Sequence, residues 1–257
     1  HPVRREHIRE LLQTKPFVSL HELEVLFPDV SSMTLRRDIE YFEAQGEAIK
    51  VRGGARSMKF ITTSMEDTFT LRMGENIRAK QRVAAVAASM IETGRSLFFD
   101  SGTTMLQLAI MLPDERVAIT TTGPNIALEL VKKNQPIVNL VGGMLNRDSI
   151  SVSGNPSMKF LGDINIDIAF IVPSGISAED GLTSGNYSEC ELKKMVIEKA
   201  RHVVVLMDSS KLNKSLPYTF CRFDKIHEII ADRPLPEDLT QIALQNGVRI
   251  RIADENK

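Results

Sequence analysis

Tryptophan is absent from this chain of 257 residues, and cysteine occurs only twice, as Cys190 and Cys221. Neither thiol has a partner at metal-ligand spacing. That excludes a zinc module and a disulfide scaffold, and unpaired thiols fit a cytoplasmic protein. The five histidines (His1, His7, His21, His202, His227) are scattered and offer no metal triad. No run of about 18 apolar residues occurs, so no membrane-spanning helix and no membrane partner are expected. The start, His1-Pro2-Val3-Arg4-Arg5, is not followed by the apolar stretch of a signal peptide. An excess of one charge is missing too. The 32 Lys+Arg residues face 33 Asp+Glu, a net charge of −1, which argues against a generally basic nucleic-acid coat and leaves a local basic patch open. What remains is an ordinary globular composition, 42% hydrophobic and 25% charged, at a length that permits one large domain or two unequal ones.

Residues 1–56 read differently from the rest. Val3, Ile8, Leu11 and Leu12 recur at helical spacing through Arg4–Thr14, and Pro16 closes that helix. Ser19 offers an N-cap for a second helix, Leu20 to Phe27, with Leu20, Leu23 and either Leu26 or Phe27 turned inward. After a turn at Pro28-Asp29-Val30, Ser31 caps a third helix, roughly Ser32–Gln45, which Gly46 ends. Its buried stripe is Leu35, Ile39 and Phe42. Glu47–Val51 and Gly53-Gly54 suggest a strand and tight turn. Three short helices and a wing make a winged helix-turn-helix, whose third helix enters the major groove of double-stranded DNA. The stripe leaves Ser32, Met33, Thr34, Arg36 and Arg37 on the exposed side, where Arg can reach guanine and the hydroxyls bases or phosphates. Lys50, Arg52 and Arg56 lie on the wing, suited to phosphates. The competing explanation is a solvated amphipathic helix with ion pairs such as Arg36 with Glu40, since residues 1–56 hold nine basic and nine acidic residues.

The string Val30-Ser31-Ser32-Met33-Thr34-Leu35-Arg36-Arg37-Asp38-Ile39, then Gly46, then Lys50-Val51-Arg52-Gly53-Gly54-Ala55, closely resembles the DNA-binding signature of DeoR-family bacterial transcription regulators. Pro28-Asp29 departs from the shorter, Gly-containing turn usual there. The resemblance implies that Ser32, Thr34, Arg36 and Arg37 face the groove and that Arg52 is the wing contact, with Lys50 beside it as a further DNA-binding candidate.

Residues 57–74 show no clean period and read as a linker, and Glu75–Thr93 reads as a helix ended by Gly94. From Ser96 short apolar runs alternate with helical patterns to the end. Strands are expected at Leu97–Phe99, Val117–Thr121, Ile137–Val141, Ile166–Val172, Val203–Met207, Ile226–Ala231 and Val248–Ile252. Such alternation implies an α/β domain with a mostly parallel sheet, whose ligands bind beyond the carboxyl ends of the strands. Those ends are polar. Asp100-Ser101-Gly102-Thr103-Thr104 runs into a helix, so a close backbone approach, two hydroxyls and unsatisfied N–H groups coincide, which favours phosphate; Asp100 suits sugar hydroxyls. Thr121-Thr122-Gly123-Pro124-Asn125, Gly142-Gly143 and Lys211 lie at other strand ends.

These pieces resemble the sensor domain of the same DeoR family, which shares its fold with ribose-5-phosphate isomerase-like enzymes. Asp167-x-Ala169-Phe170, Ser174-Gly175-Ile176, Gly181-Leu182-Thr183, Glu189-x-Glu191-x-Lys193 and Asp208-Ser209-Ser210-Lys211 extend the match from about 75 to 230. The resemblance implies a winged helix-turn-helix domain at 1–56, a linker at 57–74 and an α/β sensor domain at 75–257. It also implies a phosphorylated-sugar effector, no cofactor, and a homodimer or homotetramer acting as a repressor of carbohydrate genes. Ser101, Gly102, Thr103 and Thr104 would hold phosphate, Asp100 the sugar, with Thr122, Gly142, Gly143 and Lys211 completing the pocket. A sugar-phosphate isomerase is the alternative, with Asp100, Asp180, Glu189 and Lys211 as acid–base candidates by type.

Overall fold

The computed structural model describes residues 2–59 and 68–253, and divides the chain near residue 63 into two compact units, with Asn213–Leu216 grouped with the first. The first contains α1 (Pro2–Thr14), β1 (Phe17–Ser19), α2 (Leu20–Leu26), α3 (Ser32–Ala44), β2 (Ala48–Val51) and β3 (Gly54–Ser57). The second opens with α4 (Phe69–Gly74) and α5 (Ile77–Ala88), followed by β4 (Ser96–Phe99), α6 (Thr103–Met111), β5 (Ala118–Thr121), α7 (Pro124–Leu130) and β6 (Ile137–Leu140). Next come β7 (Met144–Asn146), β8 (Ser151–Ser153), α8 (Asn155–Gly162), β9 (Ile166–Ile171), β10 (Gly175–Ser177), β11 (Gly181–Ser184) and α9 (Tyr187–Lys199). The chain then passes through β12 (Ala200–Met207), β13 (Tyr218–Cys221), β14 (Glu228–Ala231), α10 (Glu237–Gln245) and β15 (Arg249–Ile252).

In the first unit Ile8, Leu12, Leu23, Leu35, Ile39 and Phe42 pack with Val18, Ala48 and Ala55 of the small sheet β1-β3-β2. The stripe expected on α3 is buried throughout. The choice left open on α2 resolves to Phe27, because Leu26 is 42% exposed. Val3, expected inward, is 83% exposed; its position lies beyond the end of the packed face. Strand β1 was not anticipated, since three residues are too few to show a period of two.

The second unit is built on seven parallel strands in the order β15-β14-β12-β9-β4-β5-β6. Side chains alternate across it. Leu97, Phe99, Phe170, Val204 and Leu206 face Val83, Ala87, Met105, Leu108 and Ile126 of α5, α6 and α7. Phe98, Ala169, Ile171, Val203, Val205 and Met207 face Leu161, Leu192, Val196 and Leu239 of α8, α9 and α10. Burial on both faces is why these strands read as unbroken apolar runs. Small antiparallel pieces, β7-β8 and β10-β11-β13, lie beside the main sheet.

Two boundaries need correction. The segment 57–74, expected as a linker, holds the last residue of β3 and all of α4, while 60–67 lie outside the described residues. Thr68 caps α4 and Phe69 is buried, its N–H donating to the Asp148 carbonyl at 2.7 Å; six residues are too few to reveal helical periodicity. The helix expected over 75–93 spans only Ile77–Ala88. It starts at Asn76, a non-glycine residue at φ 51°, and ends where the Ser89 hydroxyl donates to the Val86 carbonyl at 2.6 Å, competing with the backbone ladder.

Strand order also locates the reversal point. From β4 the chain proceeds outward through β5 and β6, then returns to the other side of β4 with β9. The carboxyl ends of β4 and β9 therefore diverge into Asp100–Thr104 and Val172–Ser174, the crevice where open α/β sheets bind ligands.

Candidate functional site

Helix α3 is fixed from beneath by charge. Asp38, 1% exposed, accepts hydrogen bonds from Arg4 Nε at 2.6 Å and Arg5 Nε at 2.8 Å, and the Arg5 guanidinium lies 3.9 Å from the centre of the Tyr41 ring. Two basic residues of α1 thus anchor the middle of α3. Burial works against the Asp38 charge, but hydrogen bonds and charge from Arg4 and Arg5 prevail and hold its carboxyl below the ordinary value.

The outward side of α3 divides into engaged and available groups. The Ser31 hydroxyl accepts from Thr34 N–H and lies 3.0 Å from Thr34 Oγ1, completing the cap. The Ser32 hydroxyl donates to Glu24 Oε1 of α2 at 2.5 Å, locking the turn between the two helices. Lys50 Nζ on β2 reaches Glu40 Oε1 at 2.6 Å, and that hydrogen bond and charge pull the Glu40 carboxyl below its ordinary value. Glu40 therefore pairs with Lys50, not with Arg36. Arg36, Arg37 and Arg52 are exposed and make no hydrogen bond or ion pair among the described residues. Arg52 sits at the two-residue tip of the β2-β3 hairpin, where Val51 pairs with Gly54. Three guanidiniums are presented outward by one helix and one hairpin tip. Ser32, Thr34 and Lys50 serve first to shape that surface.

In the second unit Ser101, Gly102, Thr103, Thr104 and Lys211 line one narrow cleft, with about 20 Å³ of free space, together with Arg72, Ser149, Ser174, Glu189 and Lys193. Gly102 has φ 131° and ψ 166°, a region essentially reserved for glycine, and an added Cβ would lie 3.1 Å from Val172 Cγ2. No side chain caps α6, so its first N–H groups point out at Gly102 while the ladder begins with Leu106 N–H on the Gly102 carbonyl.

Asp100 is not placed as expected. Only 1% exposed, it takes the Ser101 N–H on Oδ1 at 2.8 Å, the Val172 N–H on Oδ2 at 3.0 Å, and Lys193 Nζ at 2.9 Å. Lys193 also donates to the Val172 carbonyl at 2.7 Å. The pair ties β4, β9 and α9 together at the reversal point, leaving Asp100 little capacity for a sugar. Thr122 lies at a smaller, tightly closed recess with Asp100, Ser151, Glu189 and Lys193, its carbonyl held by Val152 N–H at 2.8 Å.

Gly142 and Gly143 line neither cavity. They carry the chain from β6 into β7: the Gly142 carbonyl accepts from Ser157 Oγ at 2.6 Å, and Gly143, at φ 148°, lies so near β8 that a Cβ would be 2.6 Å from the Ser153 carbonyl. Gly143 is a packing glycine, whereas a Cβ on Gly142 would meet open space. Asp180 is exposed on the β10-β11 turn and also lies outside the cleft.

Sequence reasoning did not assign Arg72, Ser149 and Lys193 to the cleft, or Ser151 to the recess beside it. Lys193 was visible in the Glu189-x-Glu191-x-Lys193 string, since the i,i+4 spacing puts Glu189 and Lys193 on one helix face. Ser149 and Ser151 lay in a stretch with no period. Among the described residues no cluster of His, Cys, Asp and Glu could hold a metal ion, and no helix is long and apolar enough to cross a membrane.

Residues 4–60 match the DeoR-like helix-turn-helix domain, and residues 75–233 match the DeoR C terminal sensor domain. The chain belongs to the DeoR family. It is a DNA-binding transcriptional regulator. It is 32% identical to the HTH-type transcriptional regulator IolR of Bacillus subtilis, across 98% of this chain and 99% of that one. It is 27% identical to the glycerol-3-phosphate regulon repressor of Escherichia coli K12, across 97% and 98%. Among solved structures, ribose 5-phosphate isomerase A of Methanocaldococcus jannaschii aligns over 54% of this chain and 55% of its own, with TM-score 0.40 and 21% identity. That likeness is slight, and the fold of this DeoR-family chain rests on its own strand order.

Proposed function

We propose that the protein is a cytoplasmic repressor of carbohydrate-metabolism genes whose operator binding is modulated by a phosphorylated sugar in the Ser101–Thr104 cleft. The observation that carries this reading is the uncapped start of α6: Gly102 brings the backbone close, and N–H groups, the Thr103 and Thr104 hydroxyls, Arg72 and Lys211 surround one volume. The regulation of glycerol-3-phosphate genes by a relative supports a phosphorylated carbohydrate effector.

At the DNA, Arg36 and Arg37 read base edges and Arg52 reaches phosphate or the minor groove; Ser32, Thr34 and Lys50 adjust or exchange partners on binding. A homodimer or homotetramer presents paired heads to repeated half-sites. The effector acts only by binding one arrangement of the heads more tightly than another.

An isomerase reading is weaker. Of its four acid–base candidates, Asp180 is outside the cleft and Asp100 is consumed by Lys193 and two N–H groups. We propose a regulator with neither enzymatic activity nor cofactor.

Thermal-shift titration with phosphorylated sugars and their unphosphorylated counterparts tests the effector class. Stabilisation by a phosphorylated compound alone is expected; stabilisation by none, or equally by both forms, contradicts it.

A further inference from the structure

The walls of the cleft are not uniform in charge. Lys193 and Asp100 neutralise each other at 2.9 Å. Glu189, one helical turn before Lys193, has no such partner: it is 7% exposed and forms no ion pair among the described residues. Its Oε1 accepts the Ser149 hydroxyl at 2.5 Å and the Ser151 hydroxyl as well, and these serines lie 2.8 Å from each other. Its other oxygen, Oε2, accepts no hydrogen bond from the described residues. Glu189 lines both the cleft and the smaller recess beside it.

Oε2 is not sealed off, so this acceptor without a protein donor stays open to a donor that enters the cleft. The ligand's chemistry at that end is restricted accordingly. A phosphate or carboxylate brings no donor and repels Glu189. An ammonium would donate, but it would share the walls with Arg72 and Lys211. A neutral hydroxyl donates without bringing charge. The two serine hydroxyls already demonstrate this type of contact on Oε1.

We infer that Glu189 is the specificity-determining residue of the effector site, accepting a sugar hydroxyl and selecting a polyol bearing one phosphate over the same skeleton with a second anionic group at its far end. This rests on the reading that phosphate occupies the α6 end of the cleft. Ser149 and Ser151 are its positioning residues, fixing the carboxylate by saturating Oε1.

The test is calorimetric titration of the full chain with inorganic phosphate, glycerol 3-phosphate, 3-phosphoglycerate, fructose 6-phosphate and fructose 1,6-bisphosphate. At least one of the two polyol monophosphates should bind about tenfold or more tightly than inorganic phosphate, the size of a charge-assisted hydrogen bond. Its doubly anionic counterpart should bind about tenfold more weakly than it does, by loss of that contact and added repulsion. In Glu189→Gln that preference for the polyol should shrink by about tenfold while inorganic phosphate binds as before. Failure of every compound, inorganic phosphate included, overturns the phosphate reading itself and this inference with it. Three results overturn the inference and leave phosphate binding in place. These are inorganic phosphate binding as tightly as both monophosphates, the wild-type chain failing to discriminate against the doubly anionic partner, or Glu189→Gln retaining the full preference. The wild-type comparison needs no variant, so the inference stays testable even if the substitution destabilises the chain.

Discussion

Asp38, in the middle of α3, accepts the Arg4 Nε–H at 2.6 Å across a gap of 34 residues in sequence, and Arg5 binds its other oxygen at 2.8 Å. A residue of the recognition helix is thereby held by the first turns of the chain. Asp38→Ala removes the carboxylate that both guanidiniums share and should destabilise the first unit by about 3 kcal/mol, the low end for a broken buried pair, because Arg5 keeps 34% of its side chain in solvent. Urea unfolding measures it. A loss below about 1 kcal/mol, the value of an exposed pair, would contradict the anchoring role.

The same pair gives a pH dependence. An aspartate in the unfolded chain titrates near 3.9, and Asp38 in the folded chain titrates lower, since the two arginines outweigh the effect of burial. Its contribution is therefore complete above about pH 5 and is lost as pH falls through the depressed folded value. The stability difference between wild type and Asp38→Asn should be constant from about pH 5 to 7 and shrink below about pH 4. A difference that grows on acidification would reverse the sign of this account.

Arg36 and Arg37 were expected to read bases and Lys50 to meet phosphate from the wing; Lys50 is held by Glu40 and the two arginines are not. Arg36→Ala or Arg37→Ala should weaken specific operator binding by about 1–3 kcal/mol without altering effector affinity. Lys50→Ala should cost less, and Glu40→Ala should strengthen non-specific binding by releasing a cation to the phosphates. Fluorescence anisotropy at several salt concentrations separates these. An equal loss for Lys50→Ala and Arg36→Ala would show that the ion pair does not restrain Lys50.

Gly102→Val introduces a branched side chain at φ 131° and against Val172 Cγ2. It should abolish binding of phosphorylated compounds while operator affinity persists, as calorimetry and anisotropy on one preparation can show. Unchanged ligand titration would remove the α6 start from the site.

Both thiols are buried, and burial raises the Cys190 thiol above its ordinary value and pushes Cys221 up to about 12. Neither should react with a disulfide reagent at neutral pH in the folded chain, and both should react in denaturant. Rapid native labelling would contradict the packing around β13 and α9.

The parts legible in the sequence are those with long periods. Leu35, Ile39 and Phe42 announced α3, and the apolar runs at Leu97–Phe99 and Val203–Met207 announced strands buried on both faces. The three-residue strands β1, β7, β8 and β10 were invisible because two alternations fit many patterns. For the site, Ser101–Thr104 could be read because strand, glycine and helix start are adjacent in sequence. The Asp100–Lys193 pair and the Glu189–Ser149–Ser151 group join distant segments, and only the fold brings them together. Asp100 was assigned to the ligand from residue type and from the resemblance; its burial, Lys193 and the Val172 N–H leave it little capacity for that role. Gly143 looked like part of a ligand loop because close approach to β8 and close approach to a ligand demand the same residue.

The central claim is that one chain couples operator binding to a phosphorylated sugar. Its most direct test is anisotropy of the full chain on DNA selected from a randomised pool, titrated with and without saturating polyol monophosphates. At least one such compound should change operator affinity by about tenfold, or 1.4 kcal/mol, in the wild type and have no effect in Gly102→Val. Operator affinity that none of them alters in the wild type would contradict the account.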